Sequence, residues 1–192
     1  MHSEILAANR RPPAEPPDPG SNLPSLVHWK PPETGFLTIN CDAGWSPNLH
    51  ARLGTIIRDH RCNFVGGAAK AISCLSSDQA EAEAVILGLD LAKELGLQHV
   101  IVEFDNKTLM GDLMGFKSSC WSTYLIIERI RNLGRCILDC RWRWIPRNAN
   151  NAAHTATSLA IEAVDLLRWA AQPPLPVLAA LISDGLTATG IG

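Results

Sequence analysis

The stretch SSDQAEAEAVILGLDLAKELGLQHVIVEFD, residues 76–105, decides the fold of this chain. Ser76 and Gln79 have the spacing of a capping box, and the apolar periodicity after them predicts a helix over about 78–95. The run at 99–104 is apolar enough to be a strand buried on both faces. A helix that joins two strands of one sheet in this way makes a right-handed parallel crossover. The stretch therefore predicts an α/β protein.

Other predicted elements lie on both sides of this unit. Three strands with short turns, which imply an antiparallel meander, precede the helix near 36–42, 53–58 and 62–69. The later elements are helices near 106–116 and 122–133, a strand near 136–145 and a helix from about 149 to 169. The order β-β-β-α-β-α-α-β-α predicts an α/β sandwich with a mixed five-stranded sheet flanked by helices.

Composition divides the chain into a linker, one domain and a tail. Residues 1–28 contain the run RPPAEPPDPG and no apolar periodicity, which predicts a disordered Pro-rich linker. Residues 29–172 hold the strands and helices and suit a single folded domain with an ordinary core. Residues 173–192 form a C-terminal tail, in which 177–182 is predicted to be a short helix.

The bulk composition limits the possible partners. The chain has 192 residues, of which 46% are hydrophobic and 19% charged, as in soluble globular domains. Charged residues or glycine interrupt its apolar stretches well short of a membrane span, so no membrane partner is expected. A net charge of −2 argues against strong non-specific binding to nucleic acid, which needs clustered Lys and Arg. We expect a monomer, and the sequence identifies no protein partner.

The cysteines indicate a reducing environment. There are six, without any Cys-x-x-Cys pair: Cys41, Cys62, Cys74, Cys120, Cys136 and Cys140. Cys41 and Cys136 fall in predicted strands, where a buried and reduced thiol is the expected state. The pattern predicts an intracellular, reducing compartment, either nucleus or cytoplasm.

Basic residues cluster in the second half of the chain. They lie near the end of a predicted helix and in the Trp-rich strand after it: Arg129, Arg131, Arg135, Arg141, Arg143 and Arg147. One interpretation is a solvated, charged surface. The other is an edge that contacts phosphates near a functional site.

Three carboxylates fall where strands and a helix converge. Asp42 ends the first predicted strand, where it either caps the next turn or serves as a ligand. Asp105 ends the buried strand, where it either caps the following helix or faces the cleft in which α/β sheets bind ligands. Glu81 lies near the centre of the apolar face of its helix, whereas Glu83 falls on the opposite face and is expected to be solvent-exposed. Together Asp42, Glu81 and Asp105 form an oxygen cluster suited to Mg²⁺ or Mn²⁺.

Four segments carry a family resemblance in their order along the chain: Ile39-Asn40-Cys41-Asp42-Ala43-Gly44, Gln79-Ala80-Glu81-Ala82-Glu83-Ala84, Val102-Glu103-Phe104-Asp105-Asn106 and Pro146-Arg147-Asn148-Ala149-Asn150-Asn151-Ala152-Ala153-His154. Over roughly residues 29 to 183 they resemble the ribonuclease H fold. The resemblance is closest to the plant branch of type 1 ribonucleases H, often encoded beside or derived from retroelement reverse transcriptases.

The resemblance implies a nuclease that cuts the RNA strand of an RNA–DNA hybrid. It implies that Asp42, Glu81, Asp105 and His154 are the catalytic residues and hold two Mg²⁺ (or Mn²⁺) ions. His154 stands where the family usually has Asp, with His a common plant variant. A lone His on a helix is more often structural, but its motif favours the ligand interpretation, and an imidazole can also move protons near neutral pH.

Recognition of RNA through its 2′-hydroxyls is a further implication of the resemblance. Polar side chains that could contact these hydroxyls are Asn40, Asn106 and Asn148.

The chain departs from the family pattern at two places. Trp144 stands where the family commonly has His, two residues before Pro146. The basic substrate-binding loop of bacterial relatives has no counterpart, since the segment 115–119 carries a single Lys. Two alternatives therefore stay open: a catalytically silent nucleic-acid-binding module, and an interaction domain with Trp142 and Trp144 on its partner surface.

Overall fold

The computed structural model describes residues 28–115, 121–160 and 166–185. Within these residues the strands are β1 (Leu37–Trp45), β2 (His50–Arg58), β3 (Phe64–Ser73), β4 (His99–Phe104), β5 (Asp139–Trp144) and β6 (Leu167–Trp169). The helices are α1 (Ser77–Glu94), α2 (Lys107–Leu113), α3 (Trp121–Arg135), α4 (Asn151–Leu159) and α5 (Leu175–Ser183), with a 3₁₀ turn at Arg147–Ala149. No helix in the described ranges is long and apolar enough to span a bilayer.

The strands form one mixed sheet in the order β5-β4-β1-β2-β3-β6. β1, β2 and β3 make the predicted antiparallel meander, and β4 and β5 run parallel to β1. Ser76 is the N-cap of α1 as predicted, because the backbone N–H of Gln79 donates to Ser76 Oγ at 3.2 Å, while the Gln79 side chain accepts from Leu75 N rather than from Ser76 N. The predicted α/β sandwich is therefore confirmed, with a sixth strand in addition to the five expected.

The sixth strand overturns the prediction of a long last helix over 149–169. α4 ends at Leu159, and Leu167–Trp169 instead pair antiparallel with Gly67–Ala69 of β3. Without β6 the outer edge of β3 would expose a row of unpaired backbone groups. The apolar residues near 167 match a helical period as well as a strand, so the edge of the sheet decides between them.

The ends of the chain and the cysteines bear on the other sequence predictions. The predicted linker lies outside the described residues except for His28, and so do residues 186–192 of the tail. The helix predicted at 177–182 lies within α5.

Cys41 is buried as predicted, but Cys136 is exposed in the turn before β5, because that strand begins three residues later than expected. The five described cysteines are free, and Cys120 lies outside the described residues.

The two helices that matter most for the site approach opposite faces of the sheet closely. On one face Gly88 of α1 lies on β1 and β2, where an added Cβ would come within 2.7 Å of Ile39 Cγ2 and 2.9 Å of Thr55 Oγ1. On the other face Gly54 of β2 lies under α4, where a Cβ would overlap Thr157 N and come within 2.7 Å of Ala153 O. Glycine at these two positions lets both helices approach the central strands.

A paired polar network is buried beneath the sheet. The fully buried Arg58 forms an ion pair with Asp184, at the end of α5, over 2.8 Å, and donates to Asn40 Oδ1 at 2.8 Å. Asn40 and the indole N–H of Trp29 both donate to Glu103 Oε2, at 2.8 and 2.7 Å. The Arg58 guanidinium also stacks on the Trp29 ring, 3.4 Å from its centroid. The network ties both ends of the described chain to the central strands.

We expect Gly88→Ala to destabilise the protein even though alanine favours helices. Alanine is more favourable than glycine in a helix by about 1 kcal/mol, whereas forcing a methyl group into a packed core typically costs about 1–3 kcal/mol. The new Cβ would press on Ile39 and Cys41, which are fully buried. The measurement is urea denaturation, with a net loss of roughly 1–2 kcal/mol in the free energy of unfolding.

The matched control is Gly134→Ala in α3. The nearest atom to its added Cβ is Trp142 Cζ2 at 3.0 Å, on a partly exposed side chain that can shift. Its unfolding free energy should change by less than that of Gly88→Ala. An unchanged or higher stability of Gly88→Ala would show that α1 does not need this close approach.

Candidate metal centre

Asp42 lies inside β1 rather than at its end. The strand continues to Trp45, so the interpretation of Asp42 as a turn cap is wrong. Its side chain is only 1% exposed and points to the face of the sheet covered by α4. There Thr157 Oγ1 donates to the backbone oxygen of Asp42 at 3.0 Å, and Asn150 Nδ2 donates to that of Cys41 at 2.7 Å. Both bonds attach α4 to β1 beside the carboxylate.

Glu81 enters the same cleft from the second turn of α1. Its Oε2 atom is buried without a hydrogen-bond partner in the described structure. Glu83 points away from it and lies 3.9 Å from Arg129 of α3. With a side chain 25% exposed, Glu83 is partly buried rather than solvent-exposed as predicted, because α3 packs over that side of α1. The helical periodicity nevertheless separated the two glutamates correctly.

Asp105 follows β4 directly and completes the group. It does not cap the next helix, since the side chain of Asn106 accepts from Leu109 N and is the N-cap of α2. The indole N–H of Trp144, at the end of β5, donates to the backbone oxygen of Asp105 at 2.9 Å. This bond fixes the main chain at Asp105, and the sequence did not reveal it.

The three carboxylates converge, as their positions on the strands and helix predicted. One carboxylate oxygen each from Asp42, Glu81 and Asp105 lies within 4.8 Å of the others. Burial raises the pKa of Glu81 to about 8, helped by the charges of Asp42 and Asp105 and opposed by Arg147. Burial likewise raises the pKa of Asp42, although His154 opposes the shift. Carboxylates that are crowded and desolvated in this way are stabilised by a cation.

The donor chemistry fits a hard divalent ion. Asp42 Oδ1 and Glu81 Oε2 are both buried and both lack a hydrogen-bond partner among the described residues. Ionised carboxylate oxygens without a donor are costly to bury, and oxygen ligands are those that Mg²⁺ and Mn²⁺ prefer. Asp42, Glu81 and Asp105 can therefore hold a metal.

His154 lies beside the carboxylate group but outside it. Its Nδ1 is 3.1 Å from Asp42 Oδ2, while 49% of its side chain is exposed. The group of mutually close oxygens comprises Asp42, Glu81 and Asp105 and does not extend to a His154 nitrogen. With Asp42 ionised, Nδ1–H donates to the carboxylate and leaves the lone pair on Nε2. The structure thus brings His154 to Asp42, and its role as fourth ligand stays a prediction.

The three asparagines expected to contact 2′-hydroxyls differ in their surroundings. Asn40 is fully buried and bonded to Arg58 and Glu103, so the expectation is wrong for this residue. Asn148 is exposed just before α4. Asn106 caps α2 and donates to Asp78 at 3.2 Å. Asn40 could not be recognised as a buried residue from sequence, because Arg58 and Glu103, its partners, come from two other strands.

Most side chains of the predicted basic cluster are paired with other side chains of the protein. Five of the six side chains have partners: Arg129 with Glu83 and Asp90, Arg131 with Glu128, Arg135 with Asn132, Arg141 with Asp139, and Arg143 with Glu103. Arg147 is exposed and has no ion pair among the described residues, and its charge opposes the rise in the pKa of Glu81. Arg147 is therefore the arginine of this set that acts on the carboxylate group.

Family comparison places most of the chain in one family. Residues 40–160, which include all four predicted site residues, match the family described as reverse transcriptase-like. No curated protein matches the chain significantly.

Solved structures show the fold. Ribonuclease H1 from the archaeon Halobacterium salinarum matches with a TM-score of 0.63 at 20% identity, over 66% of this chain and 98% of its own. The N-terminal RNase H domain of a Mycobacterium tuberculosis protein, solved as a fusion with maltose-binding protein, gives 0.61 at 22%, over 66% and 94%. LC11-RNase H1, isolated from compost and solved with an RNA/DNA hybrid, gives 0.60 at 22%, over 66% and 96%. The predicted ribonuclease H-like fold is confirmed.

We expect Glu81→Gln to make the metal-free protein less sensitive to alkaline pH. The folded-state pKa of Glu81 is raised from its ordinary 4.5 to about 8, so its contribution to stability is complete below about 4.5 and is lost as pH rises through about 8. Glutamine carries no charge at any of these pH values. In EDTA, melting temperatures from pH 5 to 9 should fall less for Glu81→Gln than for the parent.

Divalent metal should stabilise the parent protein more than Glu81→Gln. Mg²⁺ or Mn²⁺ at pH 8 should raise the melting temperature of the parent, because an ion that binds the folded state stabilises it, and should raise that of Glu81→Gln less. Glu83→Gln is the matched control and should behave like the parent in both experiments. If the melting temperatures of Glu81→Gln and the parent depend equally on pH, Glu81 is not a buried carboxylate with a raised pKa.

Proposed function

The chain belongs to the reverse transcriptase-like family, and from this premise we propose that it is a ribonuclease that hydrolyses the RNA strand of RNA–DNA hybrids with the help of divalent metal. The observation that carries the proposal is the carboxylate group, in which oxygens of Asp42, Glu81 and Asp105 lie within 4.8 Å of one another. Asp105 directly follows the carboxyl-terminal end of β4, which runs parallel to β1, and such strand ends are where α/β sheets bind ligands.

The proposed ligands are Asp42, Glu81 and Asp105, with His154 as the fourth. Two bound Mg²⁺ or Mn²⁺ ions supply Lewis-acid activation of water and stabilisation of the departing 3′ oxygen. The unpaired oxygens of Asp42 and Glu81 support this ligand set. Cleavage of this kind leaves 5′-phosphate and 3′-hydroxyl ends.

The surrounding side chains orient the proposed ligands. The bonds from Asn150 and Thr157 hold α4 against β1 and so keep His154 beside Asp42. Because Nδ1 of His154 faces Asp42 and half of the side chain is exposed, its Nε2 can accept or release a proton at the mouth of the site. Trp144 holds the main chain of Asp105 through its indole N–H.

An RNA–DNA hybrid is the proposed substrate on two grounds. One structural relative, LC11-RNase H1, was solved in complex with an RNA/DNA hybrid. In this chain the exposed Asn148 is a polar side chain proposed to contact 2′-hydroxyls across a minor groove, as is Asn106, which follows Asp105 directly. The proposed active form is a monomer in a reducing compartment, in keeping with the five free cysteines of the described chain.

A silent nucleic-acid-binding module is the second candidate. The observation that favours it is Trp144, which stands at the end of β5 where the resemblance implies a histidine. Its N–H donates to the Asp105 backbone, and an indole cannot exchange protons as an imidazole does. The interaction-domain alternative stays open, since Trp142 packs partly buried against α3 at Gly134 whereas Trp144 is 38% exposed.

We expect Asp105→Asn to abolish cleavage of a labelled RNA–DNA hybrid while the protein stays folded. The amide is nearly isosteric with the carboxylate but binds divalent metal poorly. The loss should exceed the about 10- to 100-fold that is typical when a residue behind a metal ligand is removed. The assay uses Mg²⁺ or Mn²⁺, with single-stranded RNA and double-stranded RNA and DNA as substrate controls.

Asp42→Asn should behave like Asp105→Asn, and Glu83→Gln is the matched control that should cleave like the parent. Full activity of either aspartate variant would refute the metal assignment. If the parent binds the hybrid tightly but cuts none of these substrates with either ion, the silent module is the correct function.

We expect His154→Asp to shift the metal preference from Mn²⁺ toward Mg²⁺. A neutral imidazole leaves the proposed ligand set one negative charge short, and Mg²⁺ depends more on carboxylate charge than Mn²⁺, which accepts nitrogen more readily. The ratio of Mn²⁺-supported to Mg²⁺-supported cleavage rates should therefore fall in the variant. His154→Ala should weaken metal binding more than it lowers the melting temperature. A ratio that is the same in all three proteins would remove His154 from the ligand set.

A further inference from the structure

Lys107 is a free cation beside the carboxylate group. It lies two residues after Asp105, at the first residue of α2, and no carboxylate among the described residues forms an ion pair with it. The positive end of a helix dipole disfavours a cation at this position. The local helix therefore does not explain a lysine here, whereas an anion bound from outside the chain would explain it.

Trp144 holds this lysine in place. Lys107 Nζ lies 4.5 Å from the centroid of the Trp144 ring, within the range of a cation–π contact. The same indole donates its N–H to the backbone oxygen of Asp105 at 2.9 Å. One side chain thus connects the free cation to a residue of the carboxylate group. Since 38% of Trp144 is exposed, the pair lies at the surface, where a large ligand can reach it.

Arg147 differs from Lys107 although it is also exposed. Burial and the neighbouring carboxylates raise the pKa of Glu81, and the charge of Arg147 opposes that rise, so Arg147 acts on the carboxylate group itself. Lys107 has no such partner, and Arg143, on the same strand as Trp144, is paired with Glu103 at 3.0 Å. Arg143 is thus paired with a carboxylate and Arg147 acts on Glu81, whereas Lys107 has neither kind of partner among the described residues.

We propose that Lys107 binds a backbone phosphate of the nucleic acid next to the one that reaches the carboxylates, and that Trp144 is the positioning residue for this contact. The inference rests on the proposed function and adds a substrate contact to it. The indole supports the ammonium group from one side and anchors the Asp105 main chain on the other. Binding of the substrate through Lys107 and the position of Asp105 therefore depend on the same side chain.

The salt dependence of hybrid binding tests the phosphate contact. Binding of a labelled RNA–DNA hybrid to the full chain is measured in EDTA, so that nothing is cleaved, over a series of KCl concentrations. The logarithm of the binding constant falls as the logarithm of the salt concentration rises, and each lost phosphate contact reduces the magnitude of this slope by roughly one. Lys107→Gln should reduce the magnitude of the slope by about that amount, and Lys107→Arg should restore it.

Lys93→Gln is the matched control. Lys93 is exposed in the last turn of α1, twelve residues beyond Glu81 and so about 18 Å farther along the helix. Its removal changes the net charge of the protein by the same amount as Lys107→Gln but should leave the slope at the parent value. If both variants lower the slope equally, the effect is one of overall charge and the Lys107 contact is wrong.

Two tryptophan variants separate the functions of Trp144. Trp144→Phe keeps an aromatic face for Lys107 but removes the N–H bond to Asp105, so kcat should fall while KM and the salt slope stay near the parent values. Trp144→Leu removes both, so KM should rise and the slope should fall as well. Trp142→Phe, on the face that packs against α3, should change none of these quantities. A purely structural role for Trp144 would not produce this split.

The outcomes distinguish the inference from the proposed function. If the parent neither binds nor cuts the hybrid, both fail. If the parent binds or cuts it but Lys107→Gln leaves the slope and KM unchanged, the inference alone is overturned. If the parent binds without cutting, the slope decides by itself: a decrease in Trp144→Leu but not in Trp144→Phe supports the positioning role, and equal slopes refute it.

Discussion

The closeness of α1 and α4 to the central strands is the constraint on which the site depends. Gly88 brings α1 onto Ile39 and Cys41 of β1, and Gly54 lets α4 lie on β2. Glu81 is seven residues before Gly88, about 10 Å along the helix, so the Gly88 contact sets how far the carboxylate reaches over the strand ends. At Gly54 the neighbouring backbone belongs to Ala153 and Thr157, on either side of the turn that carries His154. Larger side chains at these two glycines would displace Glu81 on one side of the sheet and His154 on the other.

The described residues form two buried polar systems with different degrees of pairing. In the Arg58 network every buried carboxylate has a donor: Asp184 accepts from Arg58, and Glu103 accepts from Trp29, Asn40 and Arg143. In the carboxylate group Asp42 Oδ1 and Glu81 Oε2 have none among the described residues. The other unpaired buried atoms belong to the neutral side chains of Thr38 and Asn150, where the cost of burial is lower. A chain that pairs its structural charges but leaves two carboxylate oxygens open has the pattern of a site that awaits a cation.

How much could be predicted from sequence depended on whether the cause was local. The cap at Ser76 and the period of α1 are local, and they predicted the helix and the side of it on which Glu81 lies. The strand β6, the burial of Asn40 and the indole bond to Asp105 all depend on pairing between distant segments. Nothing near residue 167 shows that β3 has an open edge, and nothing near Trp144 shows that Asp105 ends the adjacent strand. The departure at Trp144 was visible in the sequence, but its consequence required the structure.

If the proposed function holds, the charge of the site explains how a protein with a net charge of −2 can bind nucleic acid with few basic side chains. Burial and, to a smaller extent, the charges of Asp42 and Asp105 raise the pKa of Glu81 to about 8, and a group of carboxylates like this one would also repel an approaching phosphate. In the proposed function, Asp42, Glu81 and Asp105 would hold a divalent cation, whose charge would offset theirs and would favour the approach of a phosphate. A large basic surface is then unnecessary, which agrees with the pairing of Arg129, Arg131, Arg141 and Arg143 with acidic residues of the chain itself. In the proposal, Lys107, which lies on the Trp144 ring, would then have only to position a strand whose approach the bound metal favours.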